Sequence, residues 1–578
     1  MILALSEPFL TIIAILAFVI IIGLSVSLHE LGHLVAAKKA GVLCYDYSIG
    51  FGPIIYKKQK GETQYSIRAI PIGGFVQMAG MIDLSSDIKK QSEIGLNFDE
   101  EGKITEVVLD PLREAAVRGK AIELDLLGDS GEPMYITLEE ENGNVNQYFV
   151  SDNATYIFEK NQRLGIPPYE RTVDSKSKPW RLIVFFAGAF MNFVLALIIY
   201  FIVSFASGVA NSSSNEIGTI TKNFPASEVL EVGDKITSVN GVSVSSWDQF
   251  SDEMDKIYSK YQTSATIKVL RDGNEFEYVI YSRTAFNYFG LSDFESSTKG
   301  LVEIPNMSGI YGLEVGNVNP VYKNSDDSKY ANNISKGDYL IGISIGGTKY
   351  SLNEESYYVD GMSLSGYGYL SYLVKKNNVG VGAPSIKFEY YHLDNKNTED
   401  KSDDEYTLIS FDDSKEIEPY TDELLESQNV TKIVHLIGVS STTHFDFFPC
   451  IGQAFEMFWT DFTVIFRTLK LLIAPSDVRQ VGVSNLSGVV GIFGQIKSYV
   501  NAGIIPLLAF AAMLSVNLGI INLLPIPALD GGKILFVIIE AITKKRVPKK
   551  VEAIINGIFM LLLLGLMIFV TVNDIMRI

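Results

Sequence analysis

Apolar positions in this chain gather into four long blocks rather than the short runs of a water-soluble core. The blocks lie at about Phe9–Leu28, Leu182–Ala206, Ile504–Ile542 and Ala553–Val572. Each approaches or exceeds the roughly 20 residues that carry a helix across a bilayer. Between the second and third blocks the pattern changes to short alternating runs broken by Gly, Asp and Asn, which predicts strands and turns. The expected architecture is a polytopic α-helical membrane protein with four transmembrane helices and a large β-rich region between two of them.

Basic residues orient the blocks. Lys38, Lys39, Lys57, Lys58 and Lys60 follow the first; Lys176, Lys178 and Arg181 precede the second; Lys544, Lys545, Arg546, Lys549 and Lys550 separate the third from the fourth. The stretches "MILALSEP" and "SGVANSSSNE" carry none. Residues 38–181 and 543–552 are therefore expected in the cytoplasm, with both termini and the β-rich region outside, in a multi-pass plasma-membrane protein. The opening block has neither the basic start nor the small-residue cleavage site of a signal peptide. A formal net charge of -19 offers no basic field for nucleic acid. Two cysteines, Cys44 and Cys450, are too few for a disulfide framework.

The predicted organisation follows. Residues 1–42 form the first transmembrane helix. Residues 43–81 read as a membrane-associated β-hairpin, two extended runs around "KKQKGET". Residues 82–178 read as a small α+β cytoplasmic insertion, and 179–208 as the second transmembrane helix. In the outer region "GDKITSVNG" and, later, "KGDYLIGISIGG" each precede a hairpin, which reads as an internal repeat. These units resemble PDZ domains of the type attached to bacterial proteases, over 214–285 and, in degenerate form, 305–440. Their sheet edges are suited either to holding a peptide by strand addition or to screening access by bulk. Residues 445–503 read as an amphipathic juxtamembrane region, 504–542 as the third transmembrane helix and 553–573 as the fourth.

The chemistry sits in "SVSLHELGHLVAAKK". His29 and His33 are four residues apart, so a helix projects both imidazoles from one face toward one metal. A zinc ion there needs a third protein ligand and an open position for water, whose proton Glu30 is placed to take as general base. A bare HExxH also arises by chance on helices. Inside a span, however, ionisable residues are costly and mark function. Asp530 is the only acid between Ser515 and Lys533 and is the favoured third ligand; Glu540, nearer the basic boundary, is its rival. Counted along ideal helices, Asp530 lies roughly 20 Å from the Lys544 cluster and His33 only about 8 Å from Lys38, so depth alone does not choose between the two acids. Pro525 and Pro527 break the third block, as expected where a pocket or extended peptide is held. Asn522 and Asn517 are intramembrane amides suited to a substrate backbone or to helix–helix contact.

With "HELGH" in the first block and "NLLPIPALDGG" in the third, joined by "GFGPIIY", "IPIGGFVQMAG", "LSGVVGI" and the ending "FVTVNDIMR", the chain resembles the site-2 protease family of intramembrane zinc metalloproteases, in its bacterial regulator-of-sigma-E protease branch. The resemblance runs over most of the chain. It implies that His29, His33 and Asp530 bind Zn2+ and that Glu30 activates water. It also implies that an unwound substrate is held by the hairpin, at Phe51, Gly52, Gly73 and Gly74, and by Asn522, Pro525 and Pro527. The implied activity is regulated intramembrane proteolysis: a zinc endopeptidase cuts single-span proteins, such as anti-sigma factors or signal-peptide remnants, after an upstream site-1-type protease has shortened them. Partners are then transmembrane protein substrates and membrane lipid. Two positions depart from the family pattern, Ala189 and Val489, where proline is usual; Asn192 keeps its place, with a structural or substrate-facing role. The alternative is a non-catalytic membrane scaffold whose PDZ-like domains capture exported peptides. A zinc transporter or sensor would have no need of Glu30.

Overall fold

Among the described residues of this computed structural model, four helices have the length and hydropathy of membrane spans: Glu7–Lys39 (span 1), Lys178–Ser207 (span 2), Ile504–Leu523 (span 3) and Lys549–Arg577 (span 4). The structure describes residues 7–577 apart from 82–91, 127–132, 141, 158–162, 293–300, 319–332, 383, 395–403, 428–430 and 474–487. The chain divides into one unit made of 1–206, 448–469 and 482–578, and a second made of 207–447 and 470–481.

In the first unit, spans 1 and 2 touch backbone to backbone at Gly32, where a Cβ would lie 2.2 Å from the Ala187 carbonyl oxygen. Any larger residue would force the spans apart. Helix Phe447–Ile473 packs Ala454, Phe458 and Phe462 against Leu195, Ala196 and Ile199 of span 2 and Val516 of span 3. Helix Val489–Ala502 packs Ile496 against Phe18 and Phe510. The third block, read as one transmembrane helix over 504–542 broken at Pro525 and Pro527, is two helices: span 3 stops at Leu523, and a separate helix runs Asp530–Thr543. Pro525 and Pro527 cause the stop, since neither has an amide to donate and each disfavours helix in the residue before it.

The hairpin expected over 43–81 is more folded than two strands. Cys44–Lys60 pairs with Thr63–Met78, but Tyr47, Ser48 and Ile49 each face two partners: Tyr65 and Val76, Ser66 and Phe75, Ile67 and Gly74. Tyr56, Lys57 and Lys58 face the outer side of the same Ile67, Ser66 and Tyr65. Four segments therefore lie side by side in the order 54–60, 63–68, 44–49, 74–78. Gly50, Gly52 and Gly73, all at positive φ, allow the folding back. Among its described residues the insertion has strands and one short 3-10 helix, Tyr169–Arg171, before span 2 begins, rather than the expected α+β mixture. Its strands include Ile104–Val108 and Val145–Ile157, whose pairing closes five strands into a ring around Leu96, Ile136 and Leu138.

The second unit contains two modules of the same strand order. In the first, Lys235–Val239 pairs with Val242–Ser243 and with Ser264–Arg271, which pairs with Asn274–Tyr281; helix Trp247–Ser259 lies between. In the second, Tyr339–Ile345 pairs with Thr348–Ser351 and with Ile386–Leu393, which pairs with Tyr406–Ile409; helix Gly366–Lys376 lies between. The Gly-Asp signature does the same work twice. Asp234 accepts from the Glu231 amide at 2.9 Å and Asp338 from the Ser335 amide at 2.7 Å. The boundaries 214–285 and 305–440 need correction. Strand Val439–Ser441 pairs with Ile217–Ile220, and Ile437 joins the first module's core. The second module is nested inside the first.

Candidate metal centre

Span 1 carries His29 and His33 one turn apart, both buried. Asp530 begins the helix Asp530–Thr543. The loop before it folds so tightly that a Cβ on Gly531 would lie 2.1 Å from the Leu524 carbonyl oxygen. This fixes the acid's approach. Asp530 Oδ2 lies 3.0 Å from His29 Nε2 and 2.9 Å from His33 Nε2, and the two Nε2 atoms are 3.2 Å apart. Four-coordinate zinc with bonds near 2.0–2.1 Å has ligand atoms about 3.4 Å apart along each tetrahedral edge. The donor set, two imidazoles and a carboxylate, also suits zinc. Room for an ion exists because residue 188 is glycine: a Cβ there would lie 2.3 Å from His33 Nε2 and 2.7 Å from His29 Nε2.

Both rings are oriented from span 2. His33 Nδ1–H donates to the Val184 carbonyl at 2.7 Å. The Asn192 side-chain nitrogen lies 3.1 Å from His29 Nδ1, while its buried Oδ1 has no partner among the described residues. With Oδ1 turned to the ring it accepts Nδ1–H. Both histidines then present bare Nε2 lone pairs to the same point, the arrangement that outer partners impose on metal-binding histidines. Asn192 is in turn held by Ser515, whose hydroxyl donates to its backbone carbonyl at 2.9 Å.

Glu30 lies beside the 74–78 segment of the sheet: a Cβ on Gly74 would lie 3.6 Å from Glu30 Cγ. That segment is an edge, with one strand neighbour among the described residues. Phe51 covers Gly73 and stacks on Phe75 at 6.2 Å. Gly52 turns the chain and gives its carbonyl to Arg68 at 3.1 Å. Asn522 and Pro527 are half-buried and Pro525 exposed, in the last turn of span 3 and the loop to Asp530. Glu540 is elsewhere: it pairs with Arg181 at 2.6 Å and Arg546 at 3.3 Å.

Sequence reasoning missed three supports. Arg68 bridges Asp46 at 2.9 Å and donates to the Ser48 hydroxyl at 2.8 Å, cross-linking the sheet. Tyr47 donates to the Ser27 carbonyl at 2.8 Å, pinning the sheet to span 1 two residues before His29. Asp574 accepts from the amides of Gly488 and Gly491, both at 2.8 Å, and so caps helix Val489–Ala502 from span 4. Each had a signal: charged or hydroxyl groups in stretches otherwise apolar.

Known proteins resemble this chain along almost its whole length. The model of Peptidase family M50 matches residues 17–566. Zinc metalloprotease RasP of Bacillus licheniformis is 28% identical over 97% of this chain and 99% of its own. Regulator of sigma-W protease RasP of Bacillus subtilis is 28% identical over 97% and 98%. Zinc metalloprotease RasP of Shouchella clausii is 27% identical over 97% and 98%.

Proposed function

Because the chain belongs to peptidase family M50, the site-2 protease family, and is a zinc metalloendopeptidase of a multi-pass membrane type, we propose that His29, His33 and Asp530 hold the zinc, that Glu30 is the general base, and that the bond cut lies within a transmembrane segment. The observation that carries this reading is the convergence of the three ligand atoms to within 3.2 Å beside a glycine-made space. Zinc, when bound, supplies the Lewis acidity that makes water a nucleophile at neutral pH. Glu30 takes the proton of the attacking water and delivers it to the departing amine. Asn192 and the Val184 carbonyl hold the two imidazoles in one tautomer throughout.

A transmembrane substrate must be unwound before its carbonyls are open to attack. The 74–78 edge, next to Glu30, receives such a segment by strand addition. The Asn522 amide and the loop at Pro525 and Pro527 take its other side, and Phe51 with Gly52, Gly73 and Gly74 shapes the edge. Substrates are single-span proteins already shortened outside by an upstream site-1-type protease, such as anti-sigma factors or signal-peptide remnants. The active site lies toward the cytoplasmic side, with the β-rich region and both termini outside. The two nested modules are PDZ-like, and the first presents a groove of about 450 Å³ between helix Trp247–Ser259 and residues 435–440. Met254, Tyr258, His435 and Val439 are among its walls, which suits a peptide held in extended form.

The test compares full-length wild type with Glu30→Gln on a single-span substrate lacking its outer domain. Cleavage within the span by wild type alone is expected, with zinc content equal in both. Equal cleavage by both would remove Glu30 from the chemistry.

A further inference from the structure

Ala528 stands two residues before Asp530 with φ of 75°, a left-handed conformation that side chains other than glycine's resist. Something must hold it there. The loop's amides can be followed one by one. Leu524 donates to Ile521, Ile526 to Leu524 and Leu529 to Ile526, all through backbone carbonyls. Pro525 and Pro527 have no amide to give. The Ala528 amide donates outside the loop, at 3.1 Å to the Asn556 side-chain oxygen on span 4. The loop and the start of the Asp530 helix form one tight piece: Cβ atoms on Gly531 and Gly532 would lie 2.1 Å from the Leu524 and 2.5 Å from the Ile526 carbonyl oxygens. Rotation of Ala528 out of its turn is therefore carried to Asp530.

Span 4 is the least buried of the four spans, with 6% of its apolar window buried against 22% or more in the others. A carboxamide on such a helix is costly unless it has a partner. We propose that Asn556 is a positioning residue of the metal centre: from span 4 it holds Ala528 in the left-handed turn that sets Asp530 Oδ2 between the two histidines. The inference rests on the zinc set proposed above. It assigns span 4 a part in the site although, among its described residues, none reaches the metal-binding atoms.

The experiment uses full-length protein carrying Asn556→Leu, Ala528→Gly or both, with Glu30→Gln alongside. Two quantities are read: the rate at which zinc passes to a chelator, and kcat and KM on a single-span substrate. Asn556→Leu should lose zinc about 10-fold faster or more, in the range seen when outer partners of metal ligands are removed, and lower kcat about as much with KM unchanged. Glycine adopts the left-handed turn unaided, so Ala528→Gly in the Asn556→Leu background should restore both toward wild type. Zinc loss and kcat for Asn556→Leu within about twofold of wild type would overturn the proposal. So would a defect that Ala528→Gly leaves in place, since Asn556 would then support the fold in general. Glu30→Gln cleaving like wild type would instead refute the catalytic reading, and the zinc-loss rates would still judge Asn556.

Discussion

Asp530 and Glu540 stand ten residues apart on one helix, with 13% and 11% of their side chains exposed. Burial does not distinguish them; their partners do. Glu540 faces two guanidinium groups, Arg181 and Arg546, whose permanent charges satisfy it completely. Asp530 faces two imidazoles, His33 with its Nδ1–H given to Val184 and His29 with its Nδ1 turned to the Asn192 side-chain amide, and among the described residues no fixed cation stands between them. Its nearest permanent charge, Lys533, is 3.6 Å from the other oxygen, Oδ1. One end of the helix is a closed ion pair, and the other is where we propose the zinc is held. A buried acid in a membrane protein is therefore assigned by whether its neighbours leave a charge to be supplied.

This contrast can be broken by substitution. The largest effect is expected from Asp530→Asn, which removes the charge of the proposed third ligand: zinc content should fall away and cleavage of a single-span substrate drop below detection, while the protein stays folded by circular dichroism. Glu540→Gln should do the reverse. It leaves Arg181 buried and unpaired, at a cost of about 3–5 kcal/mol, seen as a lower unfolding midpoint at undiminished zinc content. Replacing both Arg181 and Glu540 with Leu should recover most of that loss; zinc lost before stability would erase the distinction. Asn192→Leu should weaken zinc binding by about 10–100-fold through the freed His29 ring, measured by competition with a chelator. Lys533→Met should matter least. A 3.6 Å pair with a partly exposed partner contributes up to about 1 kcal/mol, or roughly fivefold in zinc affinity.

Much of this was legible in the sequence, and the rest fails for physical reasons. Spans announce themselves because lipid demands apolar residues over a fixed length. His29, Glu30, His33 and Asp530 stand out because ionisable groups are rare there. Counting residues to the nearest basic cluster, by contrast, separated His33 from Asp530 by about 12 Å of depth, yet their side chains touch. The count assumes that helices run parallel and end at the membrane surface, and the 14-residue Asp530 helix need do neither. Asn192 was visible as a polar residue in an apolar span, but its partner, the far nitrogen of His29, was not. Asn556 gave the same signal in "INGIFM". Pairings between distant segments left the least trace. Strand Val439–Ser441 reads locally as the tail of the second module, and only its register with Ile217–Ile220 returns it to the first.

That return has a consequence in time. The first module's hairpin ends at Tyr281, but its strand Ile217–Ile220 has no strand partner until Ser441 has been made, 160 residues later. At roughly 5–20 residues per second, the emerging chain waits about ten to thirty seconds with Thr219 and Ile220 lacking their strand partners, Ser440 and Val439. The second module is whole before then and can fold while the first is still open. Synthesis thus finishes the inner piece before the outer one, and Ile437 enters the first module's core only as the chain approaches the helix beginning at Phe447.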